Sequence, residues 1–354
     1  MPVTAAPHRH LLDVAGLSWS DLKLLLDITE AARRILRSPA GRVDALKGVG
    51  VTTLFYEAST RTRISFENAA KALGANVNSV TVASSSIGKG ESLVDTVKTL
   101  RALGSNVIVL RHERAGAPWL AARVFDGSVL NAGDGWHAHP TQALLDLSVL
   151  LRNIGAKDGT LKGRRVAIIG DLLHSRVVRS NLHTLRAAGA TVRLAGPAAL
   201  TRGFAEAAAR SGGVTLCASL AEALEGADAV MALRIQRERL DDGEVSSLES
   251  YREAWGLTEE RIAAHAARGC VVLHPGPMNE GVEIDPDVAD GPRSLILEQV
   301  AEGIPVRMAA LWCTLRGDAP LNAPLNVTAT AKASDHGKEA TLSLAWSFLR
   351  CGCQ

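Results

Sequence analysis

The segment Ser59-Thr60-Arg61-Thr62-Arg63 lies between an apolar run ending at Tyr56 and a helical pattern. A strand-to-helix turn aims unpaired backbone N–H groups at one spot, and the helix dipole adds partial positive charge there. Three hydroxyls and an arginine in the same turn supply more donors, so the segment suits a phosphate without any glycine-rich loop. The alternative is an ordinary helix cap with surface arginines, in which Arg63 simply pairs with Glu67 four residues on.

Other stretches carry related chemistry. Lys89 stands between Gly88 and Gly90, after Ser84-Ser85-Ser86, and flexible backbone would let its ammonium swing onto an anion; a solvated loop reads the same way. Arg111 and His112 end the run NVIVLR, where the carboxyl end of a parallel strand would place Arg111 at a ligand crevice and leave His112 as a packed side chain. In NAGDGWHAHPTQ, His139 and Gln142 are three apart at a helix entrance and can face one cleft. Zinc binding by His137 and His139 lacks a carboxylate or cysteine partner at suitable spacing. Further on, Asp171 to Arg176 opens a helix after a strand, resembling a dinucleotide fingerprint in placement but without its glycines. Arg234 and Gln236 alternate on an extended segment, so both can point one way. His274-Pro275-Gly276-Pro277 forces a rigid, irregular loop.

The elements that must position these residues follow a rhythm. From about Gly50, GVTTLFY, NVNSVTV, NVIVLR and SVLNAG read as strands separated by helix-length segments, which implies parallel βαβ units. HPTQALLDLSVLLRNIG reads as a long helix connecting to a second half. There RVAIIGD, TVRLAG, GVTLC, ADAVMAL and GCVVLH are nearly all apolar, as strands buried on both faces should be. The expectation is an α/β protein of two doubly wound parallel-sheet domains joined by helices. Its parts are residues 1–150, completed by a returning helix over 294–316, residues 151–293, and a tail over 317–354. The tail, with its tandem APLNAPLN, reads as a linker or disordered extension, and TLSLAWSFLR near its end as a short helix.

Bulk properties narrow the class. With 354 residues the chain is long for one core. A net charge of only +2 argues against a dedicated nucleic-acid or membrane-surface protein, so any anion site must be local. Five scattered cysteines do not form a disulfide framework, which points to a reducing compartment. No run approaches about 20 apolar residues, and the cytoplasm is the expected location.

Together, STRTR followed by SFE, NAGDG with HPTQ, and HPGP resemble the transcarbamylase family, in the family's order along residues 1 to about 316. The resemblance implies carbamoyl phosphate held by the first domain, an amine substrate held by the second, closure between them, and homotrimers with shared sites. It implies that Ser59, Thr60, Arg61, Thr62 and Arg111 hold the phosphate, and that Arg111, His139 and Thr62 contact the carbonyl oxygen. Gln142 and the Pro275 and Gly276 carbonyls would take the carbamoyl NH2, with Ser86 and Lys89 arriving from a neighbouring subunit. Arg176, Arg234 and Gln236, with Lys89, would hold an amino acid's carboxylates, and Glu57 would pair with Arg176 or Arg239 on closure. No metal or organic cofactor is implied, and further association with regulatory or dihydroorotase-like subunits stays open.

Charge selects the branch. Aspartate presents two carboxylates, which call for planar cationic forks, and the chain has RIQRERL and HPGP where ornithine enzymes carry SMG-type and HCLP loops. Glu280 departs from the family, standing where many relatives carry arginine, and the tail has no family counterpart.

Overall fold

The computed structural model describes residues 9–81, 90–210, 212–236 and 247–315, with the isolated pairs 325–326 and 343–344. Strands β1 (Gly50–Phe55), β2 (Asn76–Thr81), β3 (Val107–His112) and β4 (Ser128–Asp134) form one parallel sheet in the order β2-β1-β3-β4. Strands β5 (Arg165–Gly170), β6 (Thr191–Ala195), β7 (Val214–Leu216), β8 (Ala229–Leu233) and β9 (Val271–Leu273) form a second, in the order β7-β6-β5-β8-β9. Every pairing within both sheets is parallel. The two doubly wound parallel sheets expected from the sequence are therefore present. Their central strands are buried on both faces, which is why their sequences are apolar runs rather than alternations. The edge strands β7 and β9 are shorter than GVTLC and GCVVLH suggest, at three residues each.

Helix α1 (Trp19–Arg37) has no counterpart in the strand–helix rhythm that begins at Gly50. Ser18 and Asp21 form a capping box at its start, and Leu22, Leu25, Ile28 and Ala32 are buried. Helices α2 (Thr60–Ala72), α3 (Leu93–Ala102) and α4 (Ala117–Val124) link the first four strands. Helix α5 (Pro140–Ile154) leads towards the second sheet, and Pro140 through Leu150 are all buried. Such a helix is rich in apolar residues because it is enclosed, here by α1, β4, α6 (Arg176–Ala187) and the last helix, α12 (Ile296–Leu315). Helix α12 packs on α1, α2 and α5, returning the chain from the second sheet to the first. The leading segment also adds to the first sheet: Leu11 N–H donates to Val129 O at 3.0 Å, and Asn131 N–H to Leu11 O at 2.9 Å.

A 3-10 turn, Ala198–Thr201, precedes helix α7 (Phe204–Arg210). The other helices of the second half are α8 (Leu220–Leu224), α9 (Leu248–Trp255), α10 (Glu259–His265) and α11 (Pro286–Ala289). Of the tail, β10 (Leu325–Asn326) and β11 (Ser343–Leu344) pair antiparallel, so Ser343 and Leu344 are extended where TLSLAWSFLR suggested helix. Among the described residues no helix is long and apolar enough to cross a membrane.

Candidate active site

The carboxyl ends of both sheets border one cavity of about 810 Å³. On the first side, β1 leads to Glu57 and then to α2, whose N-cap is Ser59. The Ser59 hydroxyl accepts from Thr62 N–H at 3.4 Å, so this residue does cap its helix, while Thr60, Arg61 and Thr62 also line the cavity. Arg63 lies outside that lining and sits 3.9 Å from Glu67, the surface pairing that the spacing allowed. Arg111 closes β3, buried, and donates to Ala132 O at 3.2 Å. His112 is the packed neighbour: its ring lies 4.5 Å from that of Tyr56, and its Nδ1 accepts from Arg114 N–H. His139 is the N-cap of α5, and Gln142 follows one turn on, both buried against the cavity.

The second side is built by turns after β5, β8 and β9. Asp171 accepts from His174 backbone N–H at 3.1 Å and lies 3.0 Å from its ring, fixing the turn that presents Arg176. Trp136, from the β4–α5 turn of the first half, packs T-shaped with that His174 ring, the ring centres 4.7 Å apart. Arg234 and Gln236 follow β8 and line the cavity, and the Gln236 amide donates to His174 O at 2.9 Å. Pro275 and Gly276 approach from β9. Gly276 has φ +64°, a backbone conformation that other residues rarely adopt, and it lies against the Arg61 guanidinium of the first half.

The electrostatics are lopsided. Arg61, Arg111, Arg176, Arg234 and Arg307 all face the cavity, and Glu57 is the sole carboxylate among the described lining residues. Glu57 lies 2.5 Å from Arg111 and also pairs with both terminal nitrogens of Arg176, so one carboxylate bridges the two buried guanidinium groups. Of the two partners expected for Glu57, Arg176 is in contact with it, together with Arg111, and Arg239 lies outside the described residues. Arg307 is enclosed within α12. It bonds Ser65, lies 5.0 Å over the Phe66 ring, and occupies space that a side chain at Gly303 would take. Burial, then repulsion from Arg111, pushes its pKa down to about 9.

His139 is fully enclosed, and burial followed by the charges of Arg111, Arg307 and Arg176 holds its pKa well below 6.5. It is a neutral imidazole, able to donate from one nitrogen without adding a charge. The sign of the linkage follows: below pH 6.5 the unfolded chain takes up a proton at this site and the folded one does not, so stability falls as pH drops. Denaturant unfolding between pH 7 and 5.5 should lose up to about 1.4 kcal/mol per pH unit from this group, and less in His139→Gln. Equal slopes in both proteins would mean that His139 is already charged. His137 behaves in the opposite way. Asp13 and Asp134 lie 3.4 and 3.1 Å from its two ring nitrogens and raise its pKa to about 10. Both its ring nitrogens are therefore engaged by carboxylates, and among the described residues no group of three or more metal-binding side chains is assembled.

The residues expected to act together largely converge. Ser59, Thr60, Arg61, Thr62, Arg111, His139, Gln142, Arg176, Arg234, Gln236, Pro275 and Gly276 all line the cavity with Glu57. Ser86, Lys89 and Arg239 lie outside the described residues. Glu280 is exposed and is not among the lining residues. Arg307, Gln299 and, behind them, Asp146 were not singled out from sequence. The available signal was a lone polar or charged residue in an otherwise apolar helix, as in ALLDLSVLL and IPVRMAALW.

Known proteins match this chain over both halves. Residues 9–152 match the model of the aspartate/ornithine carbamoyltransferase carbamoyl-P binding domain, and residues 162–314 that of the Asp/Orn binding domain. The aspartate carbamoyltransferase catalytic subunit of Beijerinckia indica is 52% identical over 305 residues, covering 86% of this chain and 93% of that protein. Aspartate transcarbamoylase from Trypanosoma cruzi, in complex with carbamoyl phosphate and aspartate, superposes with a TM-score of 0.77 at 30% identity, over 89% of this chain and 98% of that one. Ornithine carbamoyltransferase from Thermus thermophilus gives 0.74 at 28% identity, over 87% and 99%. With both domain models matched in order and 52% identity over the aligned residues to an aspartate carbamoyltransferase catalytic subunit, this chain belongs to the aspartate/ornithine carbamoyltransferase family, in its aspartate carbamoyltransferase branch.

Proposed function

We propose that this chain transfers the carbamoyl group of carbamoyl phosphate to the α-amino group of L-aspartate, giving N-carbamoyl-L-aspartate and phosphate. The observation that carries this reading is five arginines around one cavity between facing strand ends, with a single carboxylate among the described lining. Two anions repel each other, and only such a concentration of fixed positive charge makes their joint binding favourable.

In this reading Ser59, Thr60, Arg61, Thr62 and Arg111 hold the phosphate, and Arg111, His139 and Thr62 meet the carbonyl oxygen. Gln142 and the Pro275 and Gly276 carbonyls accept from the carbamoyl NH2, while Arg176, Arg234 and Gln236 hold the aspartate carboxylates. The unprotonated amine donates its lone pair to the carbonyl carbon, and the C=O electron pair moves onto oxygen. The carbonyl then re-forms, the carbon–oxygen bond to phosphate breaks, and the departing phosphate accepts the amine proton. Carbamoyl phosphate is already activated, so the protein's contribution is positioning and fixed donors at the oxyanion.

The same reading gives residues 1–150 and 294–316 the donor and residues 151–293 the acceptor, in a cytoplasmic homotrimer serving pyrimidine synthesis. Ser86 and Lys89 then act in a neighbour's cavity. Mixing an Arg61→Ala chain with a Lys89→Ala chain should restore activity that neither parent has, since some sites draw both intact residues from different chains. Mixtures that stay inactive would make each site self-contained. The primary test offers the purified chain carbamoyl phosphate with aspartate, ornithine or putrescine. N-carbamoyl-aspartate is the expected product, and carbamoylation of another amine instead would overturn the assignment.

A further inference from the structure

Asp146 lies in the interior turn of α5, fully buried, behind the cavity wall. Its Oδ1 accepts from Gln142 Nε2 at 2.9 Å and from Gln299 Nε2 at 2.7 Å, and its Oδ2 accepts from Asn181 Nδ2 at 2.8 Å. An ionised carboxylate only accepts, so each of these amides must turn its nitrogen towards Asp146. Burial alone would favour the neutral acid and pushes the Asp146 pKa up to about 6, while the three amides and Arg307 act in the opposite direction.

The orientation has two consequences at the cavity. Gln142 lines the cavity, and with its nitrogen committed to Asp146 it has its carbonyl oxygen left to present there. Gln299 has its carbonyl oxygen on the other side, accepting from His274 N–H at 2.9 Å, directly ahead of Pro275 and Gly276. Gly276 N–H is tied back to His274 Nδ1 at 2.8 Å, and His274 Nε2 faces Glu283 at 3.2 Å, so that loop is held from its first residue.

We infer that Asp146 is a positioning residue for donor selectivity: it turns the Gln142 carbonyl oxygen away from itself and, through Gln299 and His274, holds the loop that carries the Pro275 and Gly276 carbonyls, and so sets the preference for a donor bearing NH2 over one bearing methyl. This rests on the reading above, in which those acceptors meet the carbamoyl nitrogen. A site arranged to pair an N–H discriminates strongly against an analogue lacking it, because its buried acceptors are then left unmatched.

The test compares binding of carbamoyl phosphate and acetyl phosphate by calorimetry, in the full-length protein and its variants. Asp146→Leu removes the common acceptor and frees both amides to turn. Carbamoyl phosphate affinity should fall roughly 10- to 100-fold, on the scale of one unmatched buried polar group, with acetyl phosphate changed less than about 3-fold. Asp146→Asn should retain the preference within about 3-fold, because its oxygen still accepts from both glutamines while Asn181 turns its own oxygen to the new amide. Equal weakening of both donors in Asp146→Leu, or no change in either, would overturn the inference. If Asp146→Leu does not fold, Gln299→Met carries the test by cutting the link to His274, and an unchanged donor ratio there has the same force. Wild-type product formation is read separately, so a chain that makes N-carbamoyl-aspartate but shows no Asp146 effect loses only this inference.

Discussion

Replacing Arg111 with alanine is expected to lower turnover by roughly 10²- to 10³-fold, the scale for losing one fixed donor at a developing oxyanion. Arg111 is buried at the end of β3, where Ala132 O and Glu57 hold its guanidinium. Charge grows on the carbonyl oxygen only as the amine attacks, so this contact acts more on the transition state than on the bound donor. Lysine should not restore the rate, because a point charge on a flexible stem cannot reproduce a fork fixed by a strand end. Steady-state kinetics of Arg111→Ala at saturating substrates read the effect directly. Unchanged turnover would remove Arg111 from the chemistry.

The second large effect is expected at Arg234. Arg234→Ala should raise the Michaelis constant for aspartate about 10- to 100-fold, with a much smaller change for carbamoyl phosphate, as the loss of a charge-assisted hydrogen bond to one substrate predicts. Arg234 follows β8 in the second sheet, on the opposite side of the cavity from Ser59 and Arg111. A change confined to carbamoyl phosphate would show that the donor and acceptor subsites are divided differently. The two variants together therefore test the division of labour between the two sheets.

Much of this arrangement was legible because it depends on local pattern. Strands buried on both faces read as apolar runs, and parallel strands need crossovers of helix length, so the two sheets emerge from periodicity alone. Cavity residues that sit at strand ends or helix starts, such as Ser59, Arg111, His139 and Arg176, were legible for the same reason. Such positions are marked by a change from apolar run to polar turn. Helix α1 went unread because it lies outside the alternation, and its role is to bury a face against α12, which is distant in sequence.

Local pattern along the chain carries the class of fold, the order of its units and a set of donors suited to an anion. How those donors are charged and aimed depends on the folded arrangement. The neutrality of His139, the bridge from Glu57 to two arginines, and the burial of Arg307 against Phe66 arise from contacts between distant elements. Asp146 makes the same point, since its amide partners come from α5, α6 and α12. The physical reason is that desolvation and charge–charge coupling depend on distance in space, which local pattern does not encode.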